Sequence, residues 1–395
     1  MNAPALFDDK GTDWRAIAET HGTPLLVLDC DRVGLQYDAL ARALPGVELH
    51  YAIKSLPHPE VVRTLAARGA RFDLATSGEV DLVENLGIDA RRTIHTHPIK
   101  TDHDIRRALR FGCTTFVADN PAELAKFIPY RHRVALLLRV AFRDPDAQVD
   151  LSAKFGCAPE ALSALLAEAD GLGLHVKGLS FHVGSQAGRG DAQADAIRFC
   201  AHAFTARRRD ARAPLSVLDI GGGFPVSYDG RGVDIEAFCA PVRTALAALP
   251  EHVRVIAEPG RFISAPAMIS ISSVIGVAER GGRPWYYLDD GVYGSFSGRI
   301  YDHARYPLIP MTRDAERDPF AGGPVWATLA GPTCDSIDVI AQDAALGALE
   351  IGDYVIAHMI GAYSSASATT FNSIPRTPIL AINTVEGVAQ ELRVV

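Results

Sequence analysis

The chain has 395 residues, 48% of them hydrophobic and 22% charged, which is enough apolar material for a sizeable core and excludes disordered, collagen-like and disulfide-scaffold classes. Acidic residues outnumber basic ones 47 to 39, a formal net charge of −8, so no overall positive field gathers a nucleic-acid backbone and nucleic acid is not an expected partner. The opening MNAPALFDDKGTDW meets acidic residues before an apolar stretch develops, so neither a signal peptide nor a membrane span is expected there, and the expected location is cytoplasmic.

In chain order, PLLVLDCD (24–31) reads as a strand ahead of a regular alternation. Apolar and β-branched runs then recur at 47–54, 71–75, 93–98, 114–119, 134–140, 178–183, 217–222 and 254–260. Between them, 59–69, 77–87, 101–112 and 159–173 repeat apolar residues at spacings of three and four and end in glycine, as helices do. Eight such repeats with right-handed crossovers predict an α/β fold, a (β/α)8 TIM-like barrel, with an open doubly wound sheet as the alternative. After residue 265 the runs ISISSVIGVAE, PWYYLDDGVYGSF, VWATLAG, DYVIAHM and PILAINTVEG predict a mainly β domain.

The expected organisation is residues 1–29 contributing to the β domain, 30–265 forming the barrel and 266–395 forming the C-terminal β domain, which is thus assembled from both ends of the chain. The run Arg207-Arg208-Arg209 is expected to be a solvated helix end. Six cysteines occur without a C-x-x-C pair, which disfavours zinc sites and redox pairs.

Chemistry in such a barrel collects at the carboxyl ends of its strands. There the sequence places Lys54, Asp73, His97, Arg139, His182, the turn Gly221-Gly222-Gly223 and Glu258. Lys54 follows Tyr51-Ala52-Ile53, and an amine held in a mostly apolar mouth loses its proton readily enough to form a Schiff base. The glycine turn and Glu258-Pro259-Gly260-Arg261 follow strands seven and eight, a frequent phosphate site. A phosphate site, a lysine and a buried carboxylate in one mouth point to pyridoxal 5'-phosphate, whose pyridine nitrogen needs an acidic partner, here Glu258. His182 is flat enough to stack on a ring. Blander readings stay open for each: a snorkelling lysine, a Glu258–Arg261 ion pair, a core histidine. His95 and His97 share a strand face, but no further ligands accompany them, so no metal is expected and packing is the expected role.

These residues resemble the fold-type III pyridoxal-phosphate decarboxylases, and within them the ornithine/lysine decarboxylase branch, across roughly residues 24 to 375. The resemblance is carried by Tyr51-Ala52-Ile53-Lys54, Phe72-Asp73 with Ser77-Gly78-Glu79, Lys154-Phe155-Gly156, Phe181-His182-Val183-Gly184-Ser185, Asp219-Ile220-Gly221-Gly222-Gly223-Phe224-Pro225 and Ala257-Glu258-Pro259-Gly260-Arg261. It continues through Asp290-Gly291-Val292-Tyr293-Gly294-Ser295-Phe296, Tyr301-Asp302-His303, Gly331-Pro332-Thr333-Cys334-Asp335 and Gly361-Ala362-Tyr363-Ser364. It implies that Lys54 is the Schiff-base lysine, that Glu258 holds the pyridine nitrogen and that His182 stacks on the ring. Ser185, Gly222, Gly223, Gly260, Arg261 and Tyr363 would hold the phosphate, with Asp73, Glu79 and Arg139 supporting the cofactor.

The resemblance further implies that Cys334 donates a proton near Cα, that Asp302 and Asp335, in company with Tyr301, bind the distal ammonium of a diamino acid, and that a homodimer shares its active sites across the interface. The implied reaction is decarboxylation of L-ornithine to putrescine, and of L-lysine to cadaverine. Two departures leave room for an N-acylated ornithine derivative: Ser55-Leu56-Pro57-His58-Pro59 follows Lys54 where the family usually has Asn two positions on, and His97 precedes Pro98 where Asn is common. Diaminopimelate and arginine decarboxylases, a racemase and a non-catalytic antizyme-inhibitor-like protein are further alternatives. Glu258 argues against the racemase, and intact Lys54, Glu258, Cys334 and Asp335 argue against the non-catalytic protein.

Overall fold

The computed structural model describes residues 11–147, 152–209, 214–228 and 232–385. It divides into a barrel unit, Gly34–Pro225 with Asp234–Phe262, and a β unit, Met1–Val33 with Val226–Val233 and Ile263–Val395.

Strand β1, Leu25–Asp29, belongs to the β unit. Eight parallel strands then close the barrel: β2 Glu48–Ala52, β3 Arg71–Leu74, β4 Thr93–His95, β5 Thr115–Ala118, β6 Ala135–Ala141, β7 Val176–His182, β8 Val217–Asp219 and β9 Arg254–Ala257. Closure runs through β2 and β9, where Glu48 pairs Ile256 and Leu49 pairs Ala257. Every sequence-predicted barrel strand is present, and the open doubly wound sheet is excluded. Strands covered on both faces need nearly continuous apolar runs, which is why Leu136, Leu137 and Leu138 are all fully buried. Ile94, Val117, Leu137, Val217 and Ile256 form one buried cluster of the barrel.

The crossover helices begin and end where their caps dictate. Thr101 and Asp104 form a reciprocal capping box at the start of Asp102–Phe111, and Gly112, at φ 106°, closes that helix in the left-handed conformation that costs other residues most. The Ser55-to-Pro59 departure serves the same purpose. Pro59 opens the helix Pro59–Ala67, and the buried His58 accepts the Glu60 N–H at Nδ1, 3.2 Å.

Two local expectations are corrected. The strand expected over 93–98 stops at His95, so His97 lies in the loop beyond it, its Nδ1 accepting the Ile99 N–H and its ring edge-on to Phe155 at 5.5 Å. His95 is buried beside Phe116, a packing role. Arg207 is not solvated: only 6% exposed, it makes a bidentate pair with Asp170 at 3.0 and 2.7 Å, joining the helix Asp191–Arg209 to Leu162–Gly171. The side chains of Arg208 and Arg209 lie outside the described residues.

In the β unit the remaining strands are β10 Met268–Arg280, β11 Arg283–Leu288, β12 Leu308–Met311, β13 Trp326–Ala330, β14 Val339–Ala345, β15 Tyr354–Ala357 and β16 Ile379–Ile382. They form one sheet in the order β12-β15-β10-β11-β13-β14, with β1 antiparallel to β10 and parallel to β16. Both ends of the chain therefore build this sheet. Its core holds Leu25, Val27, Ile269, Ile271, Ile356 and Leu380.

Barrel closure leaves no room at Gly178 on β7, where a Cβ would lie 2.0 Å from the Val217 carbonyl oxygen and 2.9 Å from a Leu137 methyl. Gly178→Ala is expected to lower the thermal unfolding midpoint by roughly 5 °C or more. Gly171→Ala, at a helical position with nothing within 4 Å, is expected to leave it unchanged or slightly higher; scanning calorimetry of the two variants checks the contrast.

Candidate active site

At the carboxyl end of β2 a single 3-10 turn, Ile53–Ser55, lifts Lys54 out of the strand. Its Nζ donates to Asp73 Oδ2 at 2.7 Å; the lysine side chain is 42% exposed and the aspartate's is fully buried. Asp73 Oδ1 accepts a short hydrogen bond from Thr96 Oγ1. Glu79, in the first turn of the helix Ser77–Asn85, accepts the Ala75 N–H at 2.6 Å. Burial pushes the Glu79 carboxyl up to about 7 against the opposing pull of Lys54.

Two more carboxyls arrive from β8 and β9. Asp219 ends β8 and accepts the Gly221 N–H at 2.9 Å, and Glu258 follows β9 directly. Burial first, then the charges of Asp219 and Asp73, hold the Glu258 carboxyl well above the usual range, while Asp219 rises to about 6. The proton of this pair therefore rests on Glu258. Arg139, near the end of β6, lies in the field of Glu258, Asp119, Asp219 and Asp73, its guanidinium 5.4 Å from the centre of the Phe155 ring. His182 ends β7 and accepts the Gly184 N–H at Nδ1, 3.1 Å. Burial, Arg139 and Lys54 bring it down to about 3, so its ring is neutral.

The expectation of a mostly apolar setting for Lys54 is corrected: acidic residues surround it, because β3, β8 and β9 each deliver a carboxyl to the same end of the barrel. The loops after β7, β8 and β9 press together so closely that glycine is required. A Cβ on Gly222 would sit 2.7 Å from the Glu258 carbonyl oxygen and 3.1 Å from His182 Nε2, and one on Gly223, at φ 91°, would sit 2.4 Å from the Gly184 carbonyl oxygen. Arg261 Nη2 donates to Ser185 Oγ at 3.2 Å. The barrel unit thus gathers Lys54, Asp73, Glu79, Arg139, His182, Ser185, Gly222, Gly223, Glu258, Gly260 and Arg261.

Tyr301, Asp302, Cys334, Asp335 and Tyr363 belong to the β unit. Tyr293 Oη donates to Asp335 Oδ2 at 2.5 Å and stacks on Phe371 with ring centres 4.4 Å apart. That hydrogen bond holds the Asp335 carboxyl below its ordinary value and lifts the Tyr293 hydroxyl to about 12. Cys334 is exposed, and its backbone N–H and its Sγ both donate to Asn372 Oδ1, at 3.2 and 3.4 Å. Tyr301 is 61% exposed, Asp302 caps the short helix Gly298–Tyr301, and Tyr363 has a left-handed backbone at φ 52°. Sequence reasoning gave no role to Asp219, Thr96, Tyr293 or Asn372. Asp219 and Tyr293 stand inside motifs it quoted; Thr96 and Asn372 carry no sequence signal.

The donor set of the barrel unit fits pyridoxal phosphate. Glycine backbone, Ser185 and Arg261 offer donors suited to a phosphate, and Glu258 is a desolvated carboxyl held well above its usual range, whose natural complement is a basic ring nitrogen. Residues 30–265 match the family described as "Pyridoxal-dependent decarboxylase, pyridoxal binding domain". The chain belongs to the fold-type III pyridoxal-phosphate-dependent decarboxylases.

The similarity extends over nearly the whole decarboxylase. It is 36% identical over 367 residues to a lysine/ornithine decarboxylase of Selenomonas ruminantium, covering 93% of this chain and 91% of that one. The crystal structure of a lysine/ornithine decarboxylase from Vibrio vulnificus complexed with cadaverine superposes with a TM-score of 0.87 at 52% identity, covering 93% and 95% of the two chains. The putrescine complex from Vibrio vulnificus gives a TM-score of 0.86 at 52% identity, covering 93% and 96%. Among the described residues of the decarboxylase no helix is long and apolar enough to cross a membrane.

A carboxyl raised by burial binds its proton more tightly in the folded state. The stability that Glu79 contributes in its neutral form is therefore present below about pH 4.5 and lost as pH rises through about 7. Glu79→Gln keeps an acceptor for the Ala75 N–H and has no proton to lose. In protein freed of cofactor its melting temperature is expected to gain on the parent by roughly 2–4 °C between pH 5 and pH 8. Melting curves across that range check the sign.

Proposed function

We propose that this decarboxylase converts L-ornithine to putrescine and L-lysine to cadaverine, working as a homodimer that shares its sites. The observation that carries the reading is the Asp335 carboxylate, kept ionised by Tyr293 and presented on the β unit's surface. A carboxylate of this kind favours a terminal ammonium and penalises a neutral or anionic end. The names of the lysine/ornithine relatives support the same substrate class.

Pyridoxal phosphate, when bound, supplies an electron sink for the charge left at Cα as carbon dioxide departs. Lys54 is the amine that would carry the cofactor, and Asp73 would orient it. Glu258 would face the pyridine nitrogen, with Asp219 behind it. Neutral His182 would pack on the ring face without adding a competing charge. Ser185, Arg261, Tyr363 and the backbone of Gly222, Gly223 and Gly260 would hold the phosphate, with Arg139 and Glu79 supporting this frame. Asp335 and Asp302, with Tyr301 beside them, receive the distal ammonium. Cys334 holds a proton at Sγ, donated in the resting state to Asn372 Oδ1, and delivers it to Cα. Cys334 and Asp335 serve the partner protomer's site. The Ser55-to-Pro59 departure is accounted for by the helix start described above.

Carbon dioxide release from L-ornithine, L-lysine, L-arginine, meso-diaminopimelate and N-acetylornithine tests the reading. Ornithine and lysine are expected to turn over, and Lys54→Ala to abolish release. Turnover of an acylated substrate alone would overturn it. Asp335→Asn is expected to raise KM for both diamino acids by roughly tenfold or more with a smaller effect on kcat, and Tyr293→Phe to move KM the same way by less. For the shared site, mixing Lys54→Ala with Cys334→Ala protein is expected to restore roughly a quarter of parental activity, because half the dimers are mixed and each holds one intact site of two. No recovery on mixing would show that each protomer completes its own site.

A further inference from the structure

The β unit contains a cavity of about 620 Å³ that the proposed reaction does not use. It lies beside β12 and along β14, the two end strands of the sheet order, so its wall includes strand edges with no neighbouring strand among the described residues. Arg299 and Arg305 line it. Neither side chain makes an ion pair among the described residues, and the one side-chain hydrogen bond that either donates there is a long one, 3.4 Å, from the Arg299 guanidinium to the Ala304 carbonyl. In a chain of net charge −8, two guanidiniums facing one cavity without a carboxylate partner mark an anion-binding position.

The acid on the wall does not neutralise them. Between the paired residues Ala341 and Ala344 the β14 ladder is irregular, and Asp343 there has a left-handed backbone at φ 52°. Asp343 is instead engaged in a close ion pair with Arg283 on β11. The rest of the lining is divided. Gln342 adds an amide donor, while Leu308, Ile340 and Leu346 form an apolar wall. A volume of this size suits a drug-sized or nucleotide-sized molecule rather than a bare ion.

We propose that this cavity binds a phosphorylated small molecule of nucleotide size, its phosphate on Arg299 and Arg305 and its body against Leu308, Ile340 and Leu346. None of its lining residues is among those proposed for the cofactor's phosphate, Ser185, Arg261, Tyr363 and the backbone of Gly222, Gly223 and Gly260. The proposal does not depend on which amino acid the protein decarboxylates.

The test is calorimetric titration of the cofactor-loaded protein with ADP, with adenosine and inorganic phosphate as separate probes. ADP is expected to bind at least roughly tenfold more tightly than either probe alone, because only ADP engages both the arginines and the apolar wall. Arg299→Gln and Arg305→Gln are each expected to weaken ADP roughly tenfold, and the double variant to abolish the heat, while the cofactor's absorbance and the decarboxylation rate without ADP stay unchanged. The same ADP affinity in the double variant, or no heat from ADP at about 5 mM, overturns the proposal. So does inorganic phosphate binding as tightly as ADP. A double variant that alters the sedimenting mass while the parent protein binds no ADP would assign the cavity to contact between copies of the chain, and the proposal would fail.

Discussion

The structure of the active end depends on one electrostatic constraint. Asp73 and Asp219 are buried and Glu258, half-buried, stands in their field, and the cations Lys54 and Arg139 offset only part of their charge. Three carboxylates in so little water cannot all ionise, because each charge raises the cost of the next. One proton stays, and burial together with the neighbouring charges places it on Glu258. In the proposed reading, a basic ring nitrogen beside Glu258 would meet a group that already holds a proton, which would offset the cost of the cluster.

The loops beside this cluster are closely packed. A side chain on Gly222 would meet the Glu258 backbone carbonyl and one on Gly223 the Gly184 carbonyl, so neither position leaves space for one. His182 fits the same economy of charge. Desolvated near Arg139 and Lys54, it stays neutral and adds no further cation to the site. Closely packed backbone and a sparing use of charge are two aspects of one arrangement.

Much of this was legible in the sequence because the signals were local. Runs such as Ala135-to-Ala141 can only be strands covered on both faces, and the glycines after the helical stretches stop them where the structure does. The residue types at the strand ends were legible for the same reason, since a barrel brings strand ends together whatever their order in the chain. What escaped was the set of properties that arise only from convergence. Lys54 follows an apolar tripeptide, and nothing nearby in sequence announces that Asp73, Glu79 and Glu258 will surround it. Arg207 looks like part of a solvated basic run until Asp170 on another helix meets it. Thr96 and Asn372 matter only as hydrogen-bond partners of Asp73 and Cys334, and ordinary residues acquire such roles from position alone.

The two units treat their carboxyls in opposite ways, and the contrast fits the two cations of the proposed reaction. In the barrel, burial among like charges raises Glu258 so that it keeps a proton. In the β unit, Tyr293 donates to Asp335 and lowers it so that it gives its proton up. A pyridine nitrogen must share a proton to draw electrons, so its partner is best held near the balance point. A distal ammonium keeps its own proton throughout and needs only a fixed negative charge, which a hydrogen-bonded surface carboxylate supplies at little desolvation cost. Had the substrate site been built from an acid buried as deeply as Glu258, it would have entered the neutral form and lost its attraction for the ammonium. In the proposed reading, placing that carboxylate on the surface of the β unit separates the two requirements.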